Sequence, residues 1–401
     1  MPIFVQPMKP LRKPFRLTTL FKEFFASQQS AGLLLVLCTI LSLVLANGSI
    51  GESYRAFWNT EIGTETGGFH LKHSITDWVN EALMIFFFLL VGLEIERELY
   101  IGELSDRKQA MLPLMGALGG MIVPALIYCF FNFNSLETLS GAGIPTATDI
   151  AFAVAIMGIL GNRVPMALKV FLVALAIIDD LGAILVIGLF YGSGFQWEYI
   201  AYTAAICGVL YWLNQKQNTN PWIYLCLGVL LWFSMLHSGI HPTLAGVIIA
   251  FAIPFQDGKP NTVSYRLEHK IQWPVGYIIL PLFALSNTAI DINTDIFSQL
   301  LGAEGLGIFF GLTLGKPIGI ILFSFLAIRL GIARLSENIS KTMLLGAAIL
   351  GGIGFTMAIF VDNLAFANPK QIELGKLSIL LASACSALIG YSILRFSKTK
   401  P

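Results

Sequence analysis

Two adjacent aspartates, Asp179 and Asp180, stand in the middle of an otherwise apolar run, Ala174-Leu-Ala-Ile-Ile-Asp-Asp-Leu-Gly-Ala. A third acid, Asp149, closes Gly143-Ile-Pro-Thr-Ala-Thr-Asp149, and a lone lysine occupies the centre of another apolar stretch, Thr313-Leu-Gly-Lys316-Pro317. Ionisable groups in such surroundings are costly unless they face partners or water, so each asks for a role. Neighbouring positions on a helix point about 100° apart, so Asp179 and Asp180 cannot share one partner symmetrically. One can face Lys316 while the other faces a water-filled cavity. Lys316 is too deep to reach either surface comfortably, and a carboxylate partner is expected for it. As purely structural links the four would balance, and Asp149 would only cap a helix start. Three carboxylates against one ammonium do not balance. The excess calls for a mobile cation, either a proton or a metal ion, and the chemistry is binding and release.

The elements that hold these residues follow from composition. Of 401 residues 56% are apolar and only 12% are charged, with a net charge of +1. The mean hydropathy is +0.74. At ~20 residues per crossing, that content fills roughly a dozen membrane spans, which excludes disorder, a large soluble domain and a nucleic-acid partner. The five cysteines, Cys38, Cys129, Cys207, Cys226 and Cys385, lie isolated in apolar stretches and read as small core residues.

Twelve apolar segments are expected, at about 31–46, 75–93, 111–131, 144–160, 166–191, 199–213, 222–236, 240–253, 273–285, 306–326, 343–367 and 377–394. The fold class is thus an all-α membrane protein with twelve transmembrane helices. The region before 31 is too long and polar for a cleaved leader, and the exit at Ala46-Asn47-Gly48 is a poor processing site. The lysine and arginine bias tests the count. Twenty of the 25 such residues fall on one side; Arg55, Lys72, Lys370 and Lys376 fall on the other, and Lys316 lies within a span. Basic loops stay cytoplasmic, so both termini are placed there. The chain divides into a cytoplasmic segment 1–30, a single transmembrane domain 31–396 and a tail 397–401. Within the outward loop 47–74, β-formers flank glycines and suggest a small hairpin whose edge could pair with a second copy.

Pro145 interrupts the fourth span beside Asp149, and Gly351-Gly-Ile-Gly354-Phe-Thr356 interrupts the eleventh. Irregular backbone at membrane depth is tolerated only where it lines a cavity or is covered by protein. Spans three to five run outward from the cytoplasm, whereas spans ten to twelve begin outside, so the two units read as inverted-topology repeats. Their broken helices, spans 4 and 11, would cross near the midplane. Crossing gathers two electropositive and two electronegative helix ends, which Asp149 and Lys316 have the charges to balance. At the cytoplasmic ends, Glu94, Arg97 and Glu98 share one helix face, and Glu268 and His269 lie in another cytoplasmic segment. An ordinary solvated helix end would look the same as that first face.

Together, Thr148-Asp149 in a Pro-interrupted span, Ala-Ile-Ile-Asp179-Asp180-Leu-Gly-Ala, Leu-Gly-Lys316-Pro, Phe-Leu-Leu-Val-Gly-Leu-Glu94 and His-Pro-Thr-Leu-Ala-Gly246 resemble the NhaA-type sodium/proton antiporters of bacterial inner membranes. The likeness extends from the first span to the twelfth, and inverted repeats with broken helices are a known property of that family. The resemblance implies that Asp180 is the main ligand of transported Na+, assisted by Asp179 and Thr148. It implies that Asp179 pairs with Lys316 and that Asp149 and Thr148 lie at the helix crossing. It further implies exchange of cytoplasmic Na+ or Li+ for more than one external H+ by alternating access, without any cofactor. A homodimer assisted by the hairpin, and activity that rises with cytoplasmic pH through Glu94, Arg97, Glu98, Glu268 and His269, also come with it. The chain departs from the pattern at Glu96, where a basic residue is usual, and at Gln272, where a histidine is familiar. Those departures bear on the pH set-point.

Two other functions also fit acids within a membrane. An intramembrane aspartyl protease also needs two aspartates, yet the Gly-x-Gly-Asp context is missing and a doubled aspartate and buried lysine take its place. A passive cation channel needs no group that titrates.

Overall fold

The computed structural model describes residues 14–397, apart from positions 64, 67–68, 71, 103–106, 193, 257, 260–261, 293 and 337. The first part of the expected cytoplasmic segment, 1–13, and the end of the tail, 398–401, lie outside the described residues. Helices α1 (Pro14–Ala46) and α2 (Gly51–Trp58) lead into a small antiparallel ribbon. There β1 (Glu61–Ile62) pairs with β4 (His73–Ser74), and β2 (Glu65–Thr66) pairs with β3 (Phe69–His70). Lys72 and Glu61 form an ion pair of 2.6 Å beside it. The ribbon ends at a capping box: Ser74 Oγ accepts from the Asp77 amide, and the Asp77 carboxylate accepts from Ser74 N.

The rest is helical. α3 (Ile75–Tyr100) and α4 (Arg107–Asn132) precede the irregular stretch that carries Asp149. Beyond it come α5 (Ile150–Ile159), α6 (Met166–Phe190), α7 (Trp197–Gln215), α8 (Pro221–Ser238) and α9 (Leu244–Ala252). α10 (263–287) and α11 (Ala303–Arg329) each contain a π-helical turn. α12 (Lys341–Leu350), α13 (Phe355–Ala365) and α14 (Pro369–Phe396) complete the chain. In α11 the widened turn, Gly311–Gly315, ends at Lys316. The cause is Pro317, which cannot donate to the carbonyl four residues earlier.

Among the described residues, eight helical segments are long and apolar enough to cross a membrane. The bent pair α12 and α13 makes a ninth if counted as one span. The protein is therefore a predominantly helical, multi-pass membrane protein. Three of the twelve expected segments fall on α7, α9 and α10, none of which passes that test of length and apolarity. One boundary differs from the expected one with a clear cause. The last span was expected at 377–394, but its helix begins at Pro369, where the Asn368 side chain accepts from Lys370 N at 3.0 Å. An N-cap followed by Pro at the first helical position starts a helix regardless of the polar residues that come next. Lys376, placed in an outward loop from the sequence, is therefore a half-buried residue two turns inside α14.

One continuous apolar core joins these helices. Outward faces expose Leu37, Leu126, Phe130, Trp212, Trp222 and Leu388, which suits a lipid surroundings. The tightest crossing joins α4 to α11 at Gly119 and Gly319, where a Cβ on either glycine would collide with the other's carbonyl oxygen. Small residues at such a point let two backbones approach closely in a medium that supplies no hydrophobic drive between helices. Gly319→Val should therefore force α4 and α11 apart. A destabilisation of about 1–3 kcal/mol is expected for such overpacking, read as a lower thermal midpoint of the detergent-solubilised protein; an unchanged midpoint contradicts this account of the crossing.

Candidate functional site

Pro145 ends a 3-10 turn, Ser140–Thr146, and the backbone then runs extended through Ala147 to Asp149 before α5 begins. On the facing side α12 stops at Leu350, and α13 restarts at Phe355 with a bend of 44°. The two irregular stretches satisfy one another. Asp149 N donates to the Ile353 carbonyl at 2.7 Å. Thr148 Oγ1 lies 3.0 Å from the Gly351 carbonyl and 2.7 Å from Asp179 Oδ2. Polar groups that would otherwise be orphaned in an apolar medium are thus paired across the contact.

Asp149 holds both helix starts. Its Oδ1 accepts from Phe152 N in the first turn of α5 at 2.8 Å, and its Oδ2 accepts from Thr356 N at 3.1 Å and from the Thr356 hydroxyl at the start of α13. Helix N-termini carry a partial positive charge, so a carboxylate between two of them is favourably placed. Lys316 serves the opposite ends. Its ammonium is 2.9 Å from Asp179 Oδ2 and also donates to the Thr146 carbonyl, which terminates the 3-10 turn. Asp149, Thr148, Asp179, Asp180 and Lys316 are all at most 2% exposed.

Not every acceptor is used. Asp179 Oδ1 and Asp180 Oδ1 are buried without a hydrogen-bond partner among the described residues. Asp180 and Asp149 line a cavity of about 40 Å³, together with Thr356, Glu94, Gln272 and Gln28. That is room for a small ion or two waters by the ~15 Å³ that one water needs.

The structure therefore brings Asp149, Thr148, Asp179, Asp180 and Lys316 into one group and extends it by the cavity to Glu94. The remaining sequence candidates divide. Arg97 pairs with the buried Glu268 and, at 3.1 Å, with Glu98, so the positive charge nearest the cavity mouth is already engaged. Burial pushes the Glu268 carboxyl up from the usual carboxylate range, while Arg97 pulls it down. His269 is exposed and stacks on Tyr265 with ring centroids 3.9 Å apart, so its ring is turned to a neighbour on its own helix. Glu96 is 4% exposed, and its Oε2 has no hydrogen-bond partner among the described residues. Thr356, the Thr146 carbonyl and Gln28 were not singled out from sequence. Thr356 carried a signal, since it ends the Gly-rich interruption; a backbone carbonyl carries none.

The chain is similar to known proteins along most of its length. The model of the family described as Na+/H+ antiporter 1 matches residues 22–394. The chain is 48% identical to the Na(+)/H(+) antiporter NhaA of Cytophaga hutchinsonii, over 96% of this chain and 97% of the relative. It is 49% identical to the protein of that name in Flavobacterium psychrophilum, over 95% and 97%, and 44% identical to that of Vibrio cholerae, over 95% and 98%.

Removing one partner of a buried ion pair strands the other charge. Lys316→Met should destabilise the protein by about 3–5 kcal/mol, and the double change Lys316→Met with Asp179→Asn should restore most of that loss. Thermal unfolding of the three proteins checks this, and strictly additive losses would show that the pair is not coupled.

Proposed function

The chain belongs to the Na+/H+ antiporter 1 family and exchanges Na+ for H+, and we propose that it does so by competition between the two cations for Asp180. The charge arithmetic supports this reading. Asp149 lies between two helix N-termini, whose amides and partial positive charges satisfy it locally. Lys316 neutralises Asp179. Among the described residues Asp180 has neither an ion-pair partner nor a donor on Oδ1, and of the two adjacent aspartates it is the one that lines the cavity. It is the carboxylate that needs an exchangeable cation, and this single observation carries the proposal.

In this scheme Asp180 releases its proton to cytoplasmic water through the cavity past Gln272 and Glu94. Na+ or Li+ then enters and takes Asp180, the free Asp179 Oδ1 and the lone pairs of Thr148 as ligands. A site that switches sides only when loaded couples outward Na+ movement to proton entry. Replacement of more than one H+ for each Na+ makes the exchange electrogenic, and Asp179, freed when Lys316 moves away, is the second proton carrier. Twelve spans complete the scaffold, with α7, α9 and α10 supplying the crossings that are short or polar. The stretches at 147–149 and 351–354 are the breaks of two crossing helices in inverted repeats. The chain is a transporter and needs no cofactor. It lies in the bacterial inner membrane with both termini cytoplasmic and the ribbon outward, where a second copy adds to its edge to form a homodimer. Glu94, Arg97, Glu98 and Glu268 form the pH-responsive mouth, with His269 at its rim.

Asp180→Asn should abolish Na+-dependent dequenching of a pH-gradient dye in everted vesicles, and robust dequenching in that variant would remove the mechanism. Gln272→His should reshape the pH response. An imidazole in the cavity wall is charged below about pH 6.5 and neutral well above it. Its charge repels Na+ only while present, so exchange should fall at acidic pH and match the parent above about pH 8. A loss confined to alkaline pH would contradict that sign.

A further inference from the structure

A second buried acid lies in the same helix as Thr356. Asp362 is six residues further along α13, about 9 Å at 1.5 Å per residue, on the outward side of the break in the proposed topology. It is fully buried, and neither of its carboxylate oxygens has a hydrogen-bond partner among the described residues. Its oxygens press on α14 at Gly375, where any Cβ would overlap them. That glycine leaves a cradle shaped for a carboxyl group.

The surroundings explain why the cradle supplies no donor. Tyr128 gives its hydroxyl proton to the Thr138 carbonyl at 2.7 Å, and Tyr191 gives its own to the Ser140 carbonyl at 2.7 Å. Neighbouring Asn363 is committed to Asn287 at 2.8 Å. The charged groups that act on Asp362 are Lys376 of α14 and Glu304 of α11. Lys376 in turn feels Glu373 and Asp77, while the 3-10 turn Ser140–Thr146 brings no titratable group. Glu304 is 7% exposed, bonds to Gln371 and keeps Oε1 unpartnered. Here again there are more acids than cations inside the protein, and the acid with the least support is the most buried.

We propose that Asp362 is a second proton-binding site, charge-linked to Lys376 and loaded from the outward side of the membrane. The inference rests on the antiport reading above and adds to it a site remote from Asp180. A buried carboxylate with no donor either holds a proton or attracts a cation. Proton uptake converts Asp362 to the neutral acid, with water as the donor, and releases Lys376 from its attraction. Proton loss restores that attraction between α13 and α14. Outward acidity therefore acts on the helix that carries Thr356, and through it on Asp149.

Everted vesicles test this, because their lumen faces the outward side and its pH can be set apart from that of the bath. Wild-type exchange should accelerate as the lumen is acidified at fixed bath pH. In Asp362→Asn, which keeps the shape of the side chain, that luminal response should flatten or shift by about one unit or more, a tenfold change in proton affinity. A second measurement needs no variant: dicyclohexylcarbodiimide, which modifies protonated buried carboxyls, should label Asp362 in the wild-type protein, with labelling falling as luminal pH rises. Wild-type vesicles without exchange sink the antiport reading. Wild-type exchange with a superimposable luminal profile for Asp362→Asn overturns the present inference alone. Absence of any adduct on the Asp362 peptide at every pH does the same.

Discussion

A polypeptide that interrupts its helices in the interior of a membrane must satisfy the freed backbone groups and the exposed helix charges without water. In this protein one interruption answers the other. The backbone of Asp149 bonds to Ile353, the Thr148 hydroxyl reaches Gly351, and the Asp149 carboxylate ties the first turns of α5 and α13 together. Neither break is tolerable by itself, since each would leave unpaired donors and a bare helix end. The pairing also explains the charges gathered at this junction: half-helix ends recruit Asp149 and Lys316, and Lys316 recruits Asp179.

This economy of charge separates parts that stay fixed from parts free to move. The contact between α4 and α11 brings backbone against backbone at Gly119 and Gly319, with the Phe323 and Val123 side chains packed beside it. Close-packed contacts of this kind have one good geometry. The contact between the two interrupted stretches consists of a few directional hydrogen bonds centred on the Asp149 carboxylate and two threonines, Thr148 and Thr356. Such a junction can adopt two arrangements if the charge beside it changes. In the proposed scheme, loading Asp180 with either H+ or Na+ removes the same negative charge, so the two loaded states would resemble each other electrostatically. The empty, ionised state would not, and carrying it through an apolar barrier is costly. That difference would couple the two ions without a dedicated gate.

The chemistry was easier to read from sequence than the boundaries. Asp179, Asp180, Lys316 and Asp149 announced themselves because a charge in an apolar run violates the background so strongly. Pro145 and the glycines at 351–354 marked the irregular stretches for the same reason, as residues that helices avoid. What escaped notice were the groups whose role depends on approach in space. Asp362 sits in a run, Phe355–Ala365, that looks like any helix end nearing the membrane surface, and Lys376 follows polar residues that mimic a loop. The start signal Asn368-Pro369 lies in a stretch whose polar side chains read as a loop. His269 stands next to Glu268 in sequence, while the helical spacing of four residues turns its ring to Tyr265.

The cavity that Asp180 lines has a charge pattern of its own. Its wall offers the acids Glu94, Asp149 and Asp180 and the neutral amides of Gln28 and Gln272, with no basic side chain among the residues that line it. Arg97, the nearest cation in sequence to Glu94, is drawn aside by Glu268 and Glu98. In a low-dielectric mouth lined by one sign of charge, cations are concentrated and anions are turned away before binding begins. The amide at Gln272 thus keeps that wall free of positive charge, and in the proposed scheme the discrimination between the two cations is left to Asp180.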